Sequence, residues 1–104
     1  MANGLLASAD ITSANVDTML YQPTAAKTGS FSVSLANRTS GIINIRIALT
    51  TTGSVSNQAY IIYDLPLYPN EAYERSGLAL VSGQYIYVRA SAVGVSALVW
   101  GYED

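Results

Sequence analysis

Few side chains in this sequence are of a type and spacing that could do chemistry. Asp64, Glu71 and Glu74 form the acidic grouping in the middle of the chain; paired carboxylates of this kind serve glycosidases or hold calcium. Their spacing fits no calcium loop, and Glu71 and Glu74 have opposite parity, so an extended segment points them to opposite faces. They read as solvated surface charge. Serine and threonine are plentiful, but none sits in a nucleophile elbow, and the absence of histidine removes the usual activating base. The absence of cysteine excludes thiol nucleophiles, zinc-thiolate sites and disulfides. The expectation is a protein without catalytic residues, cofactor or metal, which works by binding or by building. Asn37-Arg38-Thr39 fits the N-glycosylation acceptor pattern and is read here as a turn.

The remaining candidates are aromatic. Tyr85, Tyr87 and Arg89, then Leu98, Trp100 and Tyr102, are the outward alternates on two consecutive alternating segments near the C-terminus. Such a strip, with Tyr60 or Tyr63 nearby, is a stacking platform for a sugar or the centre of a protein interface. The interface is favoured, because tyrosine and tryptophan are enriched where proteins meet and no converging polar groups for a sugar can be placed from sequence.

Composition points the same way. A chain of 104 residues makes one domain with one core. Half of its residues are hydrophobic and only 12% are charged, about half the usual share in soluble domains. Net charge is −2, which gives little repulsion between copies and favours association, with a homo-oligomer expected. Lys27, Arg38, Arg46, Arg75 and Arg89 are scattered, so no basic stripe tracks a phosphate backbone and nucleic acid is not an expected partner. No stretch has the length of an apolar membrane span, and the opening residues lack the basic-then-apolar order of a secretion signal. Neither membrane attachment nor export is expected.

Four segments alternate with period two, the pattern of strands with one face in a core. The inward sets are Phe31, Val33, Leu35; Ile43, Ile45, Ile47, Leu49; Ile86, Val88, Ala90; and Val93, Val95, Ala97, Val99. Further strands are expected over 18–22, 59–65, 71–75 and 78–81, separated by Pro23, Pro66, Pro69-Asn70, Gly77 and Ser82-Gly83. The one window with helical content is 54–59, too short to stand alone. About eight short strands at this spacing predict an all-β antiparallel sandwich, jelly-roll-like or Ig-like, over 12–104. Residues 1–11 read as an N-terminal arm reaching a neighbour or as a loose tail. A hairpin around Ala92-Val93-Gly94 would set Tyr85 opposite Trp100, Tyr87 opposite Leu98 and Arg89 opposite Ser96, bringing the aromatic strip onto one face.

Several segments carry a likeness. The opening Met1-Ala2-Asn3-Gly4-Leu5-Leu6, Asn37-Arg38-Thr39 followed by Ile45-Arg46-Ile47-Ala48-Leu49, Tyr60-Ile61-Ile62-Tyr63-Asp64, Val88-Arg89-Ala90-Ser91 and Val99-Trp100-Gly101-Tyr102-Glu103 resemble small virion structural proteins of tailed bacteriophages. The resemblance implies a non-enzymatic β-sandwich present in many copies on the particle, as head decoration, neck or tail component, or fibre-attachment module. Its partners would be other capsid, tail or fibre proteins and copies of itself. It would be made in the host bacterial cytoplasm and reside in the virion. The alternative is a carbohydrate-binding module that reads a receptor at a fibre tip.

Overall fold

The computed structural model describes residues 2–23 and 25–104, the side chains of residues 2 and 3 excepted. Eight strands run β1 (Ala2–Asp10), β2 (Thr18–Tyr21), β3 (Thr28–Asn37), β4 (Ile43–Thr50), β5 (Tyr60–Leu67), β6 (Ala72–Val81), β7 (Tyr85–Ala90) and β8 (Val95–Glu103). The window 54–59 contributes a single 3₁₀ turn, Asn57–Ala59. The strands form two antiparallel four-stranded sheets, ordered β1-β8-β3-β6 and β2-β7-β4-β5.

The pairings explain this order. Strand β1 pairs with β8, β2 with β7, β3 with β6 and β4 with β5. The chain is thus one long antiparallel hairpin, turning between β4 and β5 and rolled up until β3 meets β8 and β4 meets β7. This is the jelly-roll sandwich, and its strand order rules out the Ig arrangement.

Four well-patterned inward sets, two from each sheet, meet between the sheets. Phe31, Val33 and Leu35 of β3 and Val95, Ala97 and Val99 of β8 come from the first sheet. They pack with Ile43, Ile45 and Ile47 of β4 and Ile86, Val88 and Ala90 of β7 from the second. Each of these residues is at most 2% exposed. Leu49, expected in this set, is only half-buried, and Val93 faces solvent at 53%. Ile11, Leu20, Leu67, Leu78 and Leu80 complete the core from segments whose patterns were weaker.

Three expectations are corrected by the pairing. Residues 2–10 of the expected arm are the edge strand β1, in register with β8; residue 1 lies outside the described residues. The strands expected at 71–75 and 78–81 are one strand, β6. Gly77 does not end it but sits at φ +77 inside a bulge, where the register against β3 shifts between Phe31 and Val33. The third correction is that β7 and β8 form no hairpin. They lie in different sheets, so Tyr85 has no cross-strand relation to Trp100, nor Tyr87 to Leu98, nor Arg89 to Ser96. The linking backbone bonds outward to other strands. Ser91 N–H donates to the Asn44 carbonyl (2.9 Å), and the Gly94 carbonyl accepts from Arg38 N–H (3.0 Å).

One end of the core is closed by polar and backbone contacts. Tyr21, on β2, donates its hydroxyl to the buried carboxylate of Glu103, on β8, which ties the two sheets together. Beside it the Tyr21 ring packs against Phe31, centroids 5.4 Å apart. At the same end Gly101 lets β8 run close against the β3 backbone. Its φ is +143°, and a Cβ there would lie 2.2 Å from the Ser30 carbonyl oxygen on β3, so only glycine fits.

Candidate functional site

Alternation that buries every second residue sends the others to two outer faces, one per sheet. The fold therefore divides the predicted aromatic strip. Leu98, Trp100 and Tyr102 lie outward on the first sheet, whereas Tyr85, Tyr87 and Arg89 lie outward on the second, on the opposite side of the molecule.

On the first sheet, β8 runs between β1 and β3. Trp100 stands in register with Leu5 on one side and Ser32 on the other; Leu98 has Ser8 and Ser34 as neighbours, and Tyr102 has Ser30. Leu5 is 64% exposed and Tyr102 53%. The strip holds aromatic, aliphatic and hydroxyl groups and no charge. Charge enters at its margins, where Asp10 pairs with Arg38 and Glu74 stands opposite Ser34 on β6. Beside Tyr102 lies an open cavity of about 480 Å³, lined by Thr28, Ser30, Leu80 and Tyr102 among others.

The outer face of the second sheet is a network of tyrosine, arginine and aspartate. Arg46 and Arg89 stand directly opposite each other on β4 and β7, an arrangement that repels unless each cation is neutralised. Asp64, on β5, takes Arg46 in a two-pronged bond, with Nε donating to Oδ1 at 2.7 Å and Nη2 to Oδ2 at 3.2 Å. Asp17, ahead of β2, sits 3.7 Å from Arg89 and also accepts from the Tyr60 hydroxyl at 3.1 Å. Tyr60 thus reaches across the face from the opposite edge of the sheet. The Arg46 guanidinium lies 3.9 Å from the Tyr63 ring centroid and 5.3 Å from that of Tyr60, and the two rings meet edge to face at 5.1 Å. The hydrogen bond from Arg46 holds the Asp64 carboxyl below its ordinary range, and that same bond raises the Arg46 pKa. Tyr87 donates its hydroxyl to the Gly53 carbonyl at 2.7 Å, which pins the β4–β5 connection to this face.

Tyr63 and Asp64 reach this position through a bulge. The register between β4 and β5 shifts on passing from Ile45 opposite Leu65 to Ile47 opposite Ile62, and Asp64 takes φ +52°. Two residues of β5, Tyr63 and Asp64, thus stand against one of β4, Arg46, and the one extra residue bends the strand outward. Period-two counting cannot anticipate such an insertion. Tyr60 and Tyr63 were visible as candidates and Asp64 was weighed with Glu71 and Glu74, but its pairing with Arg46 and the role of Asp17 were not visible.

The other sequence candidates have structural roles. Asn37 is 2% exposed; its amide donates to the Gly41 carbonyl at 2.8 Å and the Leu67 carbonyl at 2.9 Å, while its oxygen accepts from Thr39. A side chain so engaged is a turn staple. Glu71 accepts from the Tyr68 N–H at 3.0 Å, and among the described residues no group of three acidic side chains comes together that could hold a metal ion. Comparison of the chain with protein-family models and with curated proteins finds no match.

Proposed function

We propose that the protein is a non-enzymatic structural subunit of a tailed-bacteriophage virion, joining copies of itself or a larger capsid or tail protein through the outer face of the β1-β8-β3-β6 sheet. The observation that supports this reading is the uncharged strip of Leu5, Leu98, Trp100 and Tyr102 bordered by serines. Burying it removes apolar surface from water without stripping solvent from a charge.

The sheet edges favour a face-to-face contact over strand addition. Strand β1 is bulged between Leu5 and Ala7, β5 carries Pro66 and its bulge, β6 carries Glu74-Arg75 and the Gly77 bulge, and β2 has only four residues. Each device obstructs the addition of another chain to an edge. A standard interface takes about 800 Å² from each partner, roughly a seventh of the 5396 Å² accessible surface.

The test replaces Leu98 and Trp100 together by serine. The variant should fold as the parent does by circular dichroism, yet sediment as a smaller species and be missing from purified particles by mass spectrometry. Assembly equal to that of the parent overturns the assignment of this face, and absence of the parent protein from particles overturns the virion reading.

A further inference from the structure

We infer that the outer face of the second sheet binds a neutral carbohydrate, with Tyr63 as the stacking ring and Arg46 and Asp64 as the hydrogen-bonding pair. This site lies on the opposite side of the sandwich from the assembly face and does not depend on it.

The geometry begins with the β5 bulge. A regular strand would set one residue against each of β4; instead Tyr63 and Asp64 both stand against Arg46, and Asp64 is held in the left-handed region, a departure from ordinary backbone that clusters at functional sites. The result is a tyrosine ring that is well exposed and yet fixed. Tyr63 is 60% exposed although Arg46 lies against its ring and Tyr60 against its edge. Both neighbours are themselves anchored, Arg46 by Asp64 and Tyr60 by Asp17. An exposed ring held in place, beside planar groups with hydrogen-bonding capacity to spare, is what a pyranose requires. Its C–H face stacks on the ring, and vicinal hydroxyls bridge the guanidinium and carboxylate. Of the five N–H groups of Arg46, two are engaged by Asp64.

Charge narrows the ligand. Arg46 and Arg89 are balanced by Asp64 and Asp17, so the face has no surplus positive charge for a phosphate or an acidic sugar. A protein partner would have to bury these ion pairs, a costly desolvation, whereas a small sugar leaves them largely in water. A second polar feature lies beside the platform. At the β4–β5 end, Thr51, Thr52, Ser56 and Gln58 line an open cavity of about 310 Å³ that contains no ionisable side chain. Ala59, which lines this cavity, directly precedes Tyr60 of the platform, so a bound chain of sugars has a hydroxyl-lined place for its next residue.

The experiment titrates the isotope-labelled protein with maltotriose, cellotriose, lactose and N,N′,N″-triacetylchitotriose, and with sialyllactose as the acidic control, following amide and Arg Nε resonances by NMR. At least one neutral sugar should give saturable shifts at Tyr63, Asp64 and Arg46. Tyr63→Ala should weaken that binding by about tenfold or more, the scale of one lost stacking contact, and Tyr63→Phe should retain it. The Leu98→Ser/Trp100→Ser variant should bind sugar as the parent does, which separates this site from assembly. The inference is overturned by absence of shifts with every neutral sugar, by binding of sialyllactose alone, or by unchanged binding in Tyr63→Ala. It is equally overturned if Tyr63→Ala prevents incorporation into particles while no sugar binds, since that marks the face as a protein contact.

Discussion

The two outer faces of this sandwich are built on the same inward pattern and could hardly differ more in what they present. On the first sheet, β8 shows Leu98, Trp100 and Tyr102 among the serines of β3, and the strip is free of charge. On the second, β7 and β4 show Tyr87, Arg89 and Arg46, and every cation among them is matched by an aspartate from an edge. The core constrains only alternate residues, so each outer face can be specified independently. A face without charge is suited to being covered, while a face of pre-paired charges and fixed rings is suited to remaining in water and holding something small.

The largest effect should come from the layer the faces share. Ile45 is fully buried on β4, between Leu65 of β5 and Ala90 of β7. Truncating a buried isoleucine to alanine typically costs roughly 2–5 kcal/mol. Ile45→Ala should therefore lower the melting temperature markedly, with the emission of Trp100 and the signals of Tyr63 lost in a single transition. Two separate transitions would mean that the sheets do not unfold as one unit, and an unmoved melting temperature would mean that Ile45 is not in the core.

A smaller effect is expected from the tie across the sandwich. Burial, aided by the hydrogen bond to Glu103 and repulsion from it, pushes the Tyr21 pKa up from 10.0 to about 12. The protonated hydroxyl is thus favoured by the folded state. Its contribution is fully present below pH 10, where both states keep the proton. It is lost as pH rises toward 12, because the unfolded chain releases the proton first. Urea midpoints measured from pH 8 to 12 should fall more steeply for the parent than for Tyr21→Phe, which leaves the other tyrosines in place. Parallel curves would remove Tyr21 from the link between the sheets.

How much of this was legible in the sequence depends on where alternation is strict. Phe31 to Leu35, Ile43 to Ile47, Ile86 to Ala90 and Val95 to Val99 announced their strands and inward faces, since nothing interrupts their period. The partnering of β7 with β8 was misread for a physical reason. Ile86, Val88 and Ala90 face Val95, Ala97 and Val99 across the core in the jelly roll, and they would share a face in a hairpin. The inward pattern is the same for both, so only the outward bonds of Ser91 and Gly94 to other strands distinguish them. Strand β1 was hidden by Gly4 and by the shift between Leu5 and Ala7, which spoil its parity, and β6 by a glycine that bulges instead of ending the strand. The second-sheet site was hidden by the same device, because the β5 bulge brings Tyr63 and Asp64 to a face that counting by twos does not give them.

The smallest effect separates the faces most cleanly. Asp64 titrates below its ordinary 3.8, chiefly through the hydrogen bond from Arg46, so the folded state favours its charged form. This contribution is present above the unfolded value and is lost as pH falls through the folded one. Both partners are on the surface, so the stability change should be slight, and local signals are the better measure. Below pH 3.8 the Arg46 Nε and Tyr63 resonances should move together as the ion pair opens, and Asp64→Asn should abolish that movement. Trp100, the single tryptophan of the chain, reports on the other side of the molecule, where its register neighbours are Leu5 and Ser32. Its emission should stay constant through the same step and change only on global unfolding. A Tyr63 transition centred at or above 3.8 would show that Arg46 does not hold Asp64 as the geometry indicates. A Trp100 signal that followed the step would show that the two faces are coupled through the core.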